Sequence, residues 1–514
     1  MSTVNYHQES RRTPWARRFG ISLISALISG AVASAGPPGS PKITGPLIVS
    51  ENPNYFKDPS GSVLILNGSQ TWNTFQDWGT NGSPQDLDFE AFVRFLVAHG
   101  HNFTLLWRIE MPKFCALPTT AAAPPDFWSA PNPWRRTGPG KAADGGLKFD
   151  LTKFDPSFFE RLRTRTQRLR DAGIYAGVYL FTGEFIKAFR CPSDGHPFTG
   201  ANNINGIDDG YTSGKRGTGS INMTAPNATT ALQDKYVEKV IDTLNNLPNV
   251  LWVVSEESSE DSVWWNDHHV AHIREYEAKK PYQHPIGYAT INGQPDTAMY
   301  DSDADWVKPQ ARISPVKSCG TGKPKCKVNV NDSDHSYWEM WKQTPQQNRN
   351  YAWENFANGN QVLFMDPYLI YYPREDRNLC LSPNNGVCRE PDPRWDPFRD
   401  NLGYILRYSR KLNLAKVHPY PDLASTKFCL AQTSAAGAEY LVYAPDGGPI
   451  TVNLSAMPPT RKLSAEWFNP ATGVATPGAP VAAGSAAQSF TPPFGGDAVL
   501  YLVDTSGHAT SGRH

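Results

Sequence analysis

The chain has 514 residues, enough for a large enzyme domain and one smaller module, because single hydrophobic cores stop growing near roughly 250 to 300 residues and barrels with insertions run larger. Its 49 basic and 49 acidic residues cancel, so the composition shows no electrostatic footprint for nucleic acid or for an anionic membrane surface. Aromatic residues make up 12% of the chain and include 15 Trp, and such flat rings suit the faces of sugars as well as protein cores. We therefore expect a neutral partner and no nucleic acid.

The N-terminus has the pattern of a secretory signal peptide. Paired arginines, Arg17 and Arg18, precede an apolar stretch over residues 21–32, and a small-residue site, Ala33-Ser34-Ala35, follows it. We assign residues 1–35 to the signal peptide, and the arginine pair permits a twin-arginine export route. No later segment approaches the length of a membrane span, so a secreted or periplasmic protein without a membrane span is predicted.

Short apolar runs alternate with helical patterns along most of the chain. A strand pattern at Val63 to Leu66 leads into a polar segment, residues 68–78, and an amphipathic helical pattern over 86–100 is followed by a strand pattern over 102–107. Further strands are predicted at 174–181, 250–254, 284–290, 304–307, 327–334 and 361–365. This alternation predicts a (β/α)8 TIM barrel over residues 45–415, with an open doubly wound sheet as the alternative.

The pattern changes near Lys416. Beyond this residue, short segments of alternating apolar and polar residues are separated by Gly/Pro turns such as PDGG (445–448), and no helical pattern appears. This pattern predicts a small antiparallel β-sandwich over residues 420–504, followed by a polar tail at 505–514.

Acidic residues follow two of the predicted barrel strands. The fourth strand runs directly into the adjacent carboxylates Glu256 and Glu257, and the seventh runs into Asp332 and Asp334. Strand ends are where a β/α barrel places its chemistry, and cleavage of a glycosidic bond needs one carboxylic acid and one carboxylate. Glu257 is therefore a candidate general acid, with Asp332 or Asp334 as its partner. The alternative is that these are ordinary solvated acids and that the aspartates cap the following helix.

The other candidate residues are polar or aromatic side chains at or beyond strand ends, which would line a substrate cleft. They are Trp72, Asn73, Gln76, Asp77, Arg108, Glu110, Glu184, Asn203, Glu256, His335, Trp338, Asp366 and Tyr368. Asn203 lies in a polar loop over 190–224 whose length is typical of a functional loop. A serine hydrolase is disfavoured because the chain has no Gly-x-Ser-x-Gly motif, and no phosphate-binding loop is present.

Seven cysteines in an exported chain suggest disulfides, with the odd one free or intermolecular. Local bridges are predicted for the pairs that bracket short turn-rich loops, Cys319 with Cys326 and Cys380 with Cys388. Cys115 and Cys191 could pair across the top of the barrel, and Cys429 lies in a strand pattern that favours a buried thiol. No pair of Cys or His has the spacing of a zinc site, so neither a metal nor a cofactor is predicted.

Nine stretches between residues 50 and 503 share their sequence pattern with a known family. They are NPNYFKDPSGSVLILNGSQTW (52–72), HPFTGANNINGI (196–207), NVLWVVSEE (249–257), KKPYQHPIGY (279–288), DADWVKP (303–309), NDSDHSYW (331–338), VLFMDPY (362–368), CLAQ (429–432) and EYLVYAPDGG (439–448). Through them the chain resembles secreted glycoside hydrolase-like barrels, of the apiosidase-like and DUF4038 type, joined to a C-terminal module named for collagen binding.

The resemblance implies a retaining glycosidase in which the fourth-strand Glu is the acid/base and the seventh-strand acid is the nucleophile. Carried over, these are Glu257 and either Asp332 or Asp334. The chain departs from the family where an Asn usually precedes the fourth-strand Glu, because Glu256 stands there. We therefore expect a monomeric, secreted glycoside hydrolase that cleaves O-glycosidic bonds of a polysaccharide or oligosaccharide. The alternative is a non-catalytic carbohydrate- or matrix-binding protein on a degenerate barrel.

Overall fold

Eight parallel strands form the central sheet of the computed structural model, which describes residues 42–80, 86–115, 126–183, 195–210, 224–309, 326–333, 340, 342–368, 383–384, 387–388, 390–434 and 436–504. The strands are β1 (Gly68–Gln70), β2 (Phe103–Leu106), β3 (Tyr175–Thr182), β4 (Val250–Glu256), β5 (Ile286–Ala289), β6 (Trp306–Lys308), β7 (Val328–Asp332) and β8 (Gln361–Met365). From β2 to β8 each strand pairs in parallel with the next, and β8 pairs in parallel with β1.

The remaining seam, between β1 and β2, closes at the start of the two strands. The Asn102 backbone N–H donates to the Asn67 carbonyl (3.1 Å), and the Asn67 N–H donates to Asn102 Oδ1 (2.9 Å). A Cβ at Gly68 would lie 2.0 Å from the carbonyl oxygen of Phe103, so this close approach requires a residue without a side chain. The predicted barrel is confirmed, and the open-sheet alternative is excluded.

Helices follow most of the strands and pack on the outside of the sheet. Within the described residues they are α1 (Phe89–Ala98), α2 (Pro156–Asp171), α3 (Thr230–Leu244), α4 (Val263–Glu277), α5 (Thr297–Asp301), α6 (Pro345–Ala357) and α7 (Asp396–Ser409). Three of them begin at a capping side chain, Asp88 for α1, Asp155 for α2 and Thr344 for α6. In α6 this is a capping box, in which Thr344 and Gln347 bond each other's backbone N–H. The sequence analysis missed α5 and α7.

The residues of β4 divide between two hydrophobic clusters. Leu251 and Val253 pack with the residues of neighbouring strands that fill the barrel, whereas Val250, Trp252 and Val254 pack with the surrounding helices. A strand buried on both faces needs apolar residues at every position, which explains the continuous apolar run in the sequence.

The elements before and between the first strands differ from the sequence prediction. Val63–Leu64 belongs to a small antiparallel sheet with Phe56–Lys57 and Ile48–Val49, and the first barrel strand is the next segment, Gly68–Gln70. The prediction was wrong here because a three-residue strand of Gly, Ser and Gln has no hydrophobic pattern. An antiparallel hairpin, Trp134–Lys141 with Leu147–Phe154, forms part of the insertion before α2 and was also missed.

The C-terminal residues form the predicted antiparallel β structure. A six-stranded sheet contains His418–Pro419, Cys429–Gln432, Glu439–Ala444, Ala498–Asp504, Lys462–Asn469 and Val474–Ala482 in spatial order, and a two-stranded sheet pairs Ile450–Val452 with Gln488–Phe490. The sheet packs directly on the barrel, where the rings of Trp353 in α6 and Tyr443 stack with their centroids 6.0 Å apart. The barrel and the sheet therefore belong to one compact unit.

Cys429 is a free thiol buried in the C-terminal sheet, as predicted, and burial raises its pKa to about 12. Cys326 is disulfide-bonded, but its predicted partner, Cys319, lies outside the described residues, as do Cys191 and Cys380. The individual pairings therefore stay predictions. None of the described helices is both long enough and apolar enough to cross a membrane. Residues 1–35 and 505–514, assigned to the signal peptide and the tail, also lie outside the described residues.

Candidate active site

Three charged side chains meet inside the barrel at the C-terminal ends of β4, β6 and β7. Lys308 Nζ lies 2.7 Å from Glu256 Oε2 and 2.7 Å from Asp332 Oδ2. Each of the three is the last residue of its strand, and each is at most 1% exposed. Because β4 is separated from both of the other strands by β5, the contact to Glu256 must pass through the interior of the barrel. The three side chains therefore point inward, and we call them the lysine bridge.

The lysine bridge continues into a layer of aromatic side chains. The Tyr179 hydroxyl on β3 donates to Glu256 Oε2, and the Tyr179 ring lies 4.7 Å from the ring of Trp107. The Trp107 indole N–H in turn donates to Gln70 on β1. Hydrogen bonds, ion pairs and one ring contact thus connect β1 to β7 across the barrel.

Glu257 immediately follows β4 and has an unusual backbone conformation. Its φ is +41°, in the left-handed region that a residue with a side chain adopts only at an energetic cost. Its side chain is 4% exposed, and Asn292 Nδ2 donates to Oε2 at 3.3 Å. Backbone strain of this kind is concentrated at functional sites, where the surrounding structure holds it in place.

A second buried network lies beyond the ends of β2 and β3. Glu110 accepts from the Thr182 backbone N–H at 2.9 Å and lies 3.4 Å from His196 Nε2, whose Nδ1 is 3.5 Å from Asp209. Burial raises the pKa of Glu110, but the charge of Arg108 and the contacts with His196 outweigh it, so the pKa lies below its usual value. Glu110 is therefore held ionised in a polar wall near the strand ends.

Several predicted binding residues use their polar atoms within the protein. Asp366 accepts two hydrogen bonds from Arg399, of 2.7 and 2.6 Å, and Tyr368 packs its ring on Phe92 and Phe95 of α1. Asn203 donates to carbonyl groups of its own loop. These contacts place the three side chains in the supporting structure, and their role in binding a substrate stays a prediction.

The predicted binding residues that follow β1 also differ in what their side chains contact. Asp77 is bound by Arg161 at 2.6 Å, and Gln76 Nε2 donates to the Pro131 carbonyl, so both brace the insertion. Asn73 differs, because its Oδ1 is buried and has no hydrogen-bond partner among the described residues. Trp72 is half-buried, with its ring 5.3 Å from that of Trp78. Asn73 and Trp72 are thus the better placed of the four for contact with a ligand.

Arg108 is fully buried on the outer side of the sheet. Its guanidinium lies 4.2 Å from the ring centroid of Tyr236 in α3, and Nη1 donates to the Leu180 carbonyl. The remaining predicted site residues, Asp334, Glu184, His335 and Trp338, lie outside the described residues, and their roles stay predictions.

The sequence analysis did not single out two members of the central network, Lys308 and Tyr179. The segment that contains Lys308, DADWVKP, was noted only as a family resemblance, and a lone Lys after two apolar residues gives no sign of a buried partner. The sequence of β7 did indicate which side chains face the interior. Every second residue of a strand points to the same side, and Val328, Val330 and Asp332 all reach the interior, as predicted.

Two family models match parts of the chain. Residues 121–308, which include β3 to β6, match the model described as "Domain of unknown function (DUF6298)". Residues 423–503, which form the C-terminal β structure, match the model described as "Putative collagen-binding domain of a collagenase". No curated protein sequence matches the chain.

The fold is similar to those of solved glycoside hydrolases. A glycoside hydrolase family 5 structure from Bacteroides vulgatus ATCC 8482 superposes with a TM-score of 0.59 at 11% identity, covering 90% of this chain and 93% of that one. A second structure, described as a glycoside hydrolase, gives a TM-score of 0.56 at 12% identity, covering 90% of this chain and 97% of that one. At such low identity, these similarities establish the fold alone.

Fold and site together define the class of this protein. It is a (β/α)8 barrel with the fold of solved glycoside hydrolases and with inward-facing carboxylates at the C-terminal ends of β4 and β7, followed by a β-sandwich whose residues 423–503 match the collagen-binding model. The resemblance inferred from the sequence is thereby confirmed.

Proposed function

We propose that this protein is a glycoside hydrolase that cleaves O-glycosidic bonds of a polysaccharide or oligosaccharide by a retaining mechanism. Glu257 acts as general acid/base, and Asp332 or Asp334 acts as the nucleophile. The observation that carries the proposal is the strained backbone of Glu257 (φ +41°) directly beside a buried bridge between the ends of β4 and β7. In the glycosidase-like family that the sequence resembles, the acid/base and the nucleophile come from these two strand ends.

The lysine bridge supports a two-carboxylate mechanism through the short distance between two acids at the ends of β4 and β7. Glu256 Oε2 and Asp332 Oδ2 both lie 2.7 Å from Lys308 Nζ, so the two oxygens are separated by at most twice that distance. Retaining glycosidases hold their carboxyl groups roughly 5 to 5.5 Å apart. The short distance between Glu256 and Asp332 supports the proposal, because it brings the ends of β4 and β7 together.

The proposed roles divide the acids between structure and chemistry. Glu256 and Asp332 both bind Lys308, so at least one of the pair serves as a fixed support. Glu257 is not part of the lysine bridge. Its backbone has left the extended conformation of the strand, so its side chain does not follow the alternation of strand side chains between the two faces of the sheet. If Asp332 serves only as a support, Asp334 is the nucleophile.

Lys308 also gives the alternative function a specific basis. A glycosidase needs room for a sugar between its two carboxylates, and here an ammonium group lies between Glu256 and Asp332. A barrel in which this bridge has replaced the catalytic pair would bind carbohydrate without cleaving it. The two functions differ in one measurable property, the release of new reducing ends.

The test is a screen of the purified protein against a panel of polysaccharides with reducing-end detection. We expect cleavage of at least one glycan, and a loss of at least a hundredfold in turnover for Glu257→Gln because the general acid is removed. Glu260→Gln, three residues further on and exposed, is the matched control and should retain wild-type activity. Glycan binding without cleavage by the wild type would instead establish the binding protein.

The nucleophile is identified by comparing Asp332→Asn with Asp334→Asn on the same substrate. The variant at the nucleophile should lose turnover by orders of magnitude, whereas the other variant should retain most of it. Asp332→Asn should unfold at a lower urea concentration in either case, because it removes a buried partner of Lys308. Equal and small effects of both variants would contradict the retaining mechanism proposed here.

We further propose that the protein is a secreted or periplasmic monomer. The support is the signal-peptide pattern of residues 1–35. N-terminal sequencing of protein recovered from outside the cytoplasm should give a mature chain that starts at Gly36, and size-exclusion chromatography with light scattering should give the mass of one chain.

A further inference from the structure

The helices on either side of β4 carry facing rows of acidic residues and histidines. Asp234 and Glu238 lie one turn apart on α3, the helix before β4, and His268 and His272 lie one turn apart on α4, the helix after it. His268 Nε2 is 2.9 Å from Asp234 Oδ1, and His272 Nε2 is 3.6 Å from Glu238 Oε1. The two rows therefore meet across the groove between the helices.

A third histidine converges on the first of these pairs. His269 Nδ1 lies 3.8 Å from the same Asp234 oxygen that His268 approaches. One ligand atom from each of Asp234, His268 and His269 can be chosen so that all three lie within 4.8 Å of one another. Metal–ligand distances of roughly 2.0 to 2.2 Å are reached from that arrangement by small side-chain rotations.

His269 provides an independent indication of a ligand. Its side chain is fully buried against Phe181 and Trp265, and neither ring nitrogen has a hydrogen-bond partner in the described part of the chain. A buried imidazole with both nitrogens unpaired is costly, because each polar atom has lost its water without replacement. A metal bound at Nδ1 would satisfy the nitrogen that faces Asp234.

We propose that Asp234, His268 and His269 bind a divalent transition metal of the zinc type on the outside of the barrel. Two imidazoles and one carboxylate suit zinc and its neighbours in the first transition row, whereas calcium and magnesium prefer sites made of oxygen ligands alone. Asp234 and His268 are partly exposed, so solvent can supply the fourth ligand and a path for the ion.

The next turn of the two helices orients the ligands. The His272 ring is stacked on that of His268, with centroids 6.0 Å apart and an interplanar angle of 12°, and the Trp264 ring is also stacked on His268, with centroids 5.1 Å apart. These contacts fix the plane of the His268 ring, as the outer contacts of metal-binding histidines do.

The metal would act as a clamp between α3 and α4. These helices precede and follow β4, which ends at Glu256 and is followed directly by Glu257. The clamp would therefore hold the candidate catalytic strand from outside without taking part in the chemistry. The proposal departs from the sequence expectation of no metal site. Asp234 and His268 lie on two helices and are 34 residues apart in the sequence. The adjacent histidines, His268 and His269, do not have the spacing of a zinc motif.

The test uses full-length, untagged protein freed of metal with EDTA and titrated with zinc chloride at pH 7.5. We expect one equivalent of Zn²⁺ to bind with a dissociation constant of micromolar or lower. Asp234→Asn and His268→Gln should each weaken binding at least tenfold. His418→Gln, at an exposed histidine in the C-terminal sheet, is the control and should bind as the wild type does.

A second measurement decides the matter if a variant folds poorly. Zn²⁺ in excess should raise the thermal unfolding midpoint of the wild-type protein by a few degrees, because a ligand that binds only the folded state stabilises it. Co²⁺ in its place should give visible absorption bands that His268→Gln removes. No bound zinc and no thermal shift, or undiminished binding in both ligand variants, would overturn the proposal and leave an ordinary hydrogen-bonded helix contact.

Discussion

Lys308 and Asp332 form an ion pair that water does not reach: Nζ lies 2.7 Å from Oδ2, and both side chains are fully buried. The same Nζ lies 2.7 Å from Glu256 Oε2. Buried charges are stable only when each is paired and hydrogen-bonded, so these three groups depend on one another. The lysine bridge also connects β4 to β7, which the hydrogen bonds of the sheet do not join directly.

Lys308→Met should therefore lower the free energy of unfolding by roughly 3 to 5 kcal/mol, because two buried carboxylates would lose their cation. Urea unfolding at pH 7 measures the change. Lys279→Met is the control: its side chain is 68% exposed in a surface ion pair, and its loss should cost less than about 1 kcal/mol. If Lys308→Met unfolded at the wild-type midpoint, the bridge would not be part of what holds the barrel together.

Glu257 and Glu256 should respond in opposite ways to replacement by Gly. The positive φ of Glu257 costs about 1 to 2 kcal/mol, which Gly does not incur, although Gly loses more chain entropy on folding. Glu257→Gly should thus be as stable as the wild type, or up to about 1 kcal/mol more stable, while activity is lost.

Glu256→Gly provides the comparison, because Glu256 is an extended strand residue bound to Lys308 and Tyr179. It should be several kcal/mol less stable in the same urea experiment. A Glu257→Gly protein that was clearly destabilised would show that the carboxylate makes structural contacts worth more than the strain, and would count against a catalytic role.

The sequence predicted the barrel because its strands are buried on both faces. The continuous apolar run of β4 and the alternation of Val328, Val330 and Asp332 in β7 each have one simple structural interpretation. The prediction failed at Gly68–Gln70, a barrel strand without apolar residues, and at the hairpin of the insertion, whose Gly and Pro residues disguise it. In these places the neighbouring structure, and not the local pattern, determines the conformation.

Of the residues that form the candidate site, the sequence indicated the acidic ones but not the lysine that binds them. Their position after two apolar runs indicated Glu256, Glu257 and Asp332, but no sequence pattern shows that one lysine binds two of them. Lys308 ends a three-residue strand and contacts a carboxylate two strands away. Contacts of this kind form only when the barrel closes. Closure depends on all eight strands together, so no single stretch of sequence predicts the contact.

The contact between α6 and the C-terminal sheet depends on a second buried ion pair. Arg349 binds Asp497 through two hydrogen bonds of 3.1 and 2.6 Å, and the Tyr443 hydroxyl lies 3.2 Å from the same carboxylate. Asp497→Asn should lower the free energy of unfolding by about 2 to 4 kcal/mol, because Arg349 would remain buried with a neutral partner.

Thermal unfolding should remain a single transition, since the barrel and the sheet share one core. Two separate transitions in the wild-type protein would contradict a shared core.

His101 ties the seam of the barrel to α7. Its Nδ1 accepts from the Ser69 N–H of β1 at 3.2 Å, and its Nε2 lies 2.9 Å from the carbonyl of Arg399 in α7. This pattern requires a neutral ring with the proton on Nε2. Burial lowers the pKa of His101 to about 4; the nearby charges of His99 and Arg399 act in the same direction, and the Arg399 carbonyl and Asp366 oppose them.

The pKa of His101 therefore lies below its value in the unfolded chain, about 6.5. As the pH falls, the unfolded state binds this proton first, so the stability contributed by His101 is complete above about pH 6.5 and is lost progressively down to about pH 4. From pH 7 to pH 5 this amounts to roughly 2 kcal/mol.

His101→Gln can accept from Ser69 and donate to Arg399 without titrating, so the free energy of unfolding of this variant should fall by about 2 kcal/mol less than that of the wild type over the same interval. Between pH 7 and pH 8 the two proteins should change in parallel, which is the internal control. An equal acid sensitivity of the two proteins between pH 7 and pH 5 would show that His101 is already protonated in the folded barrel or hydrated at the seam.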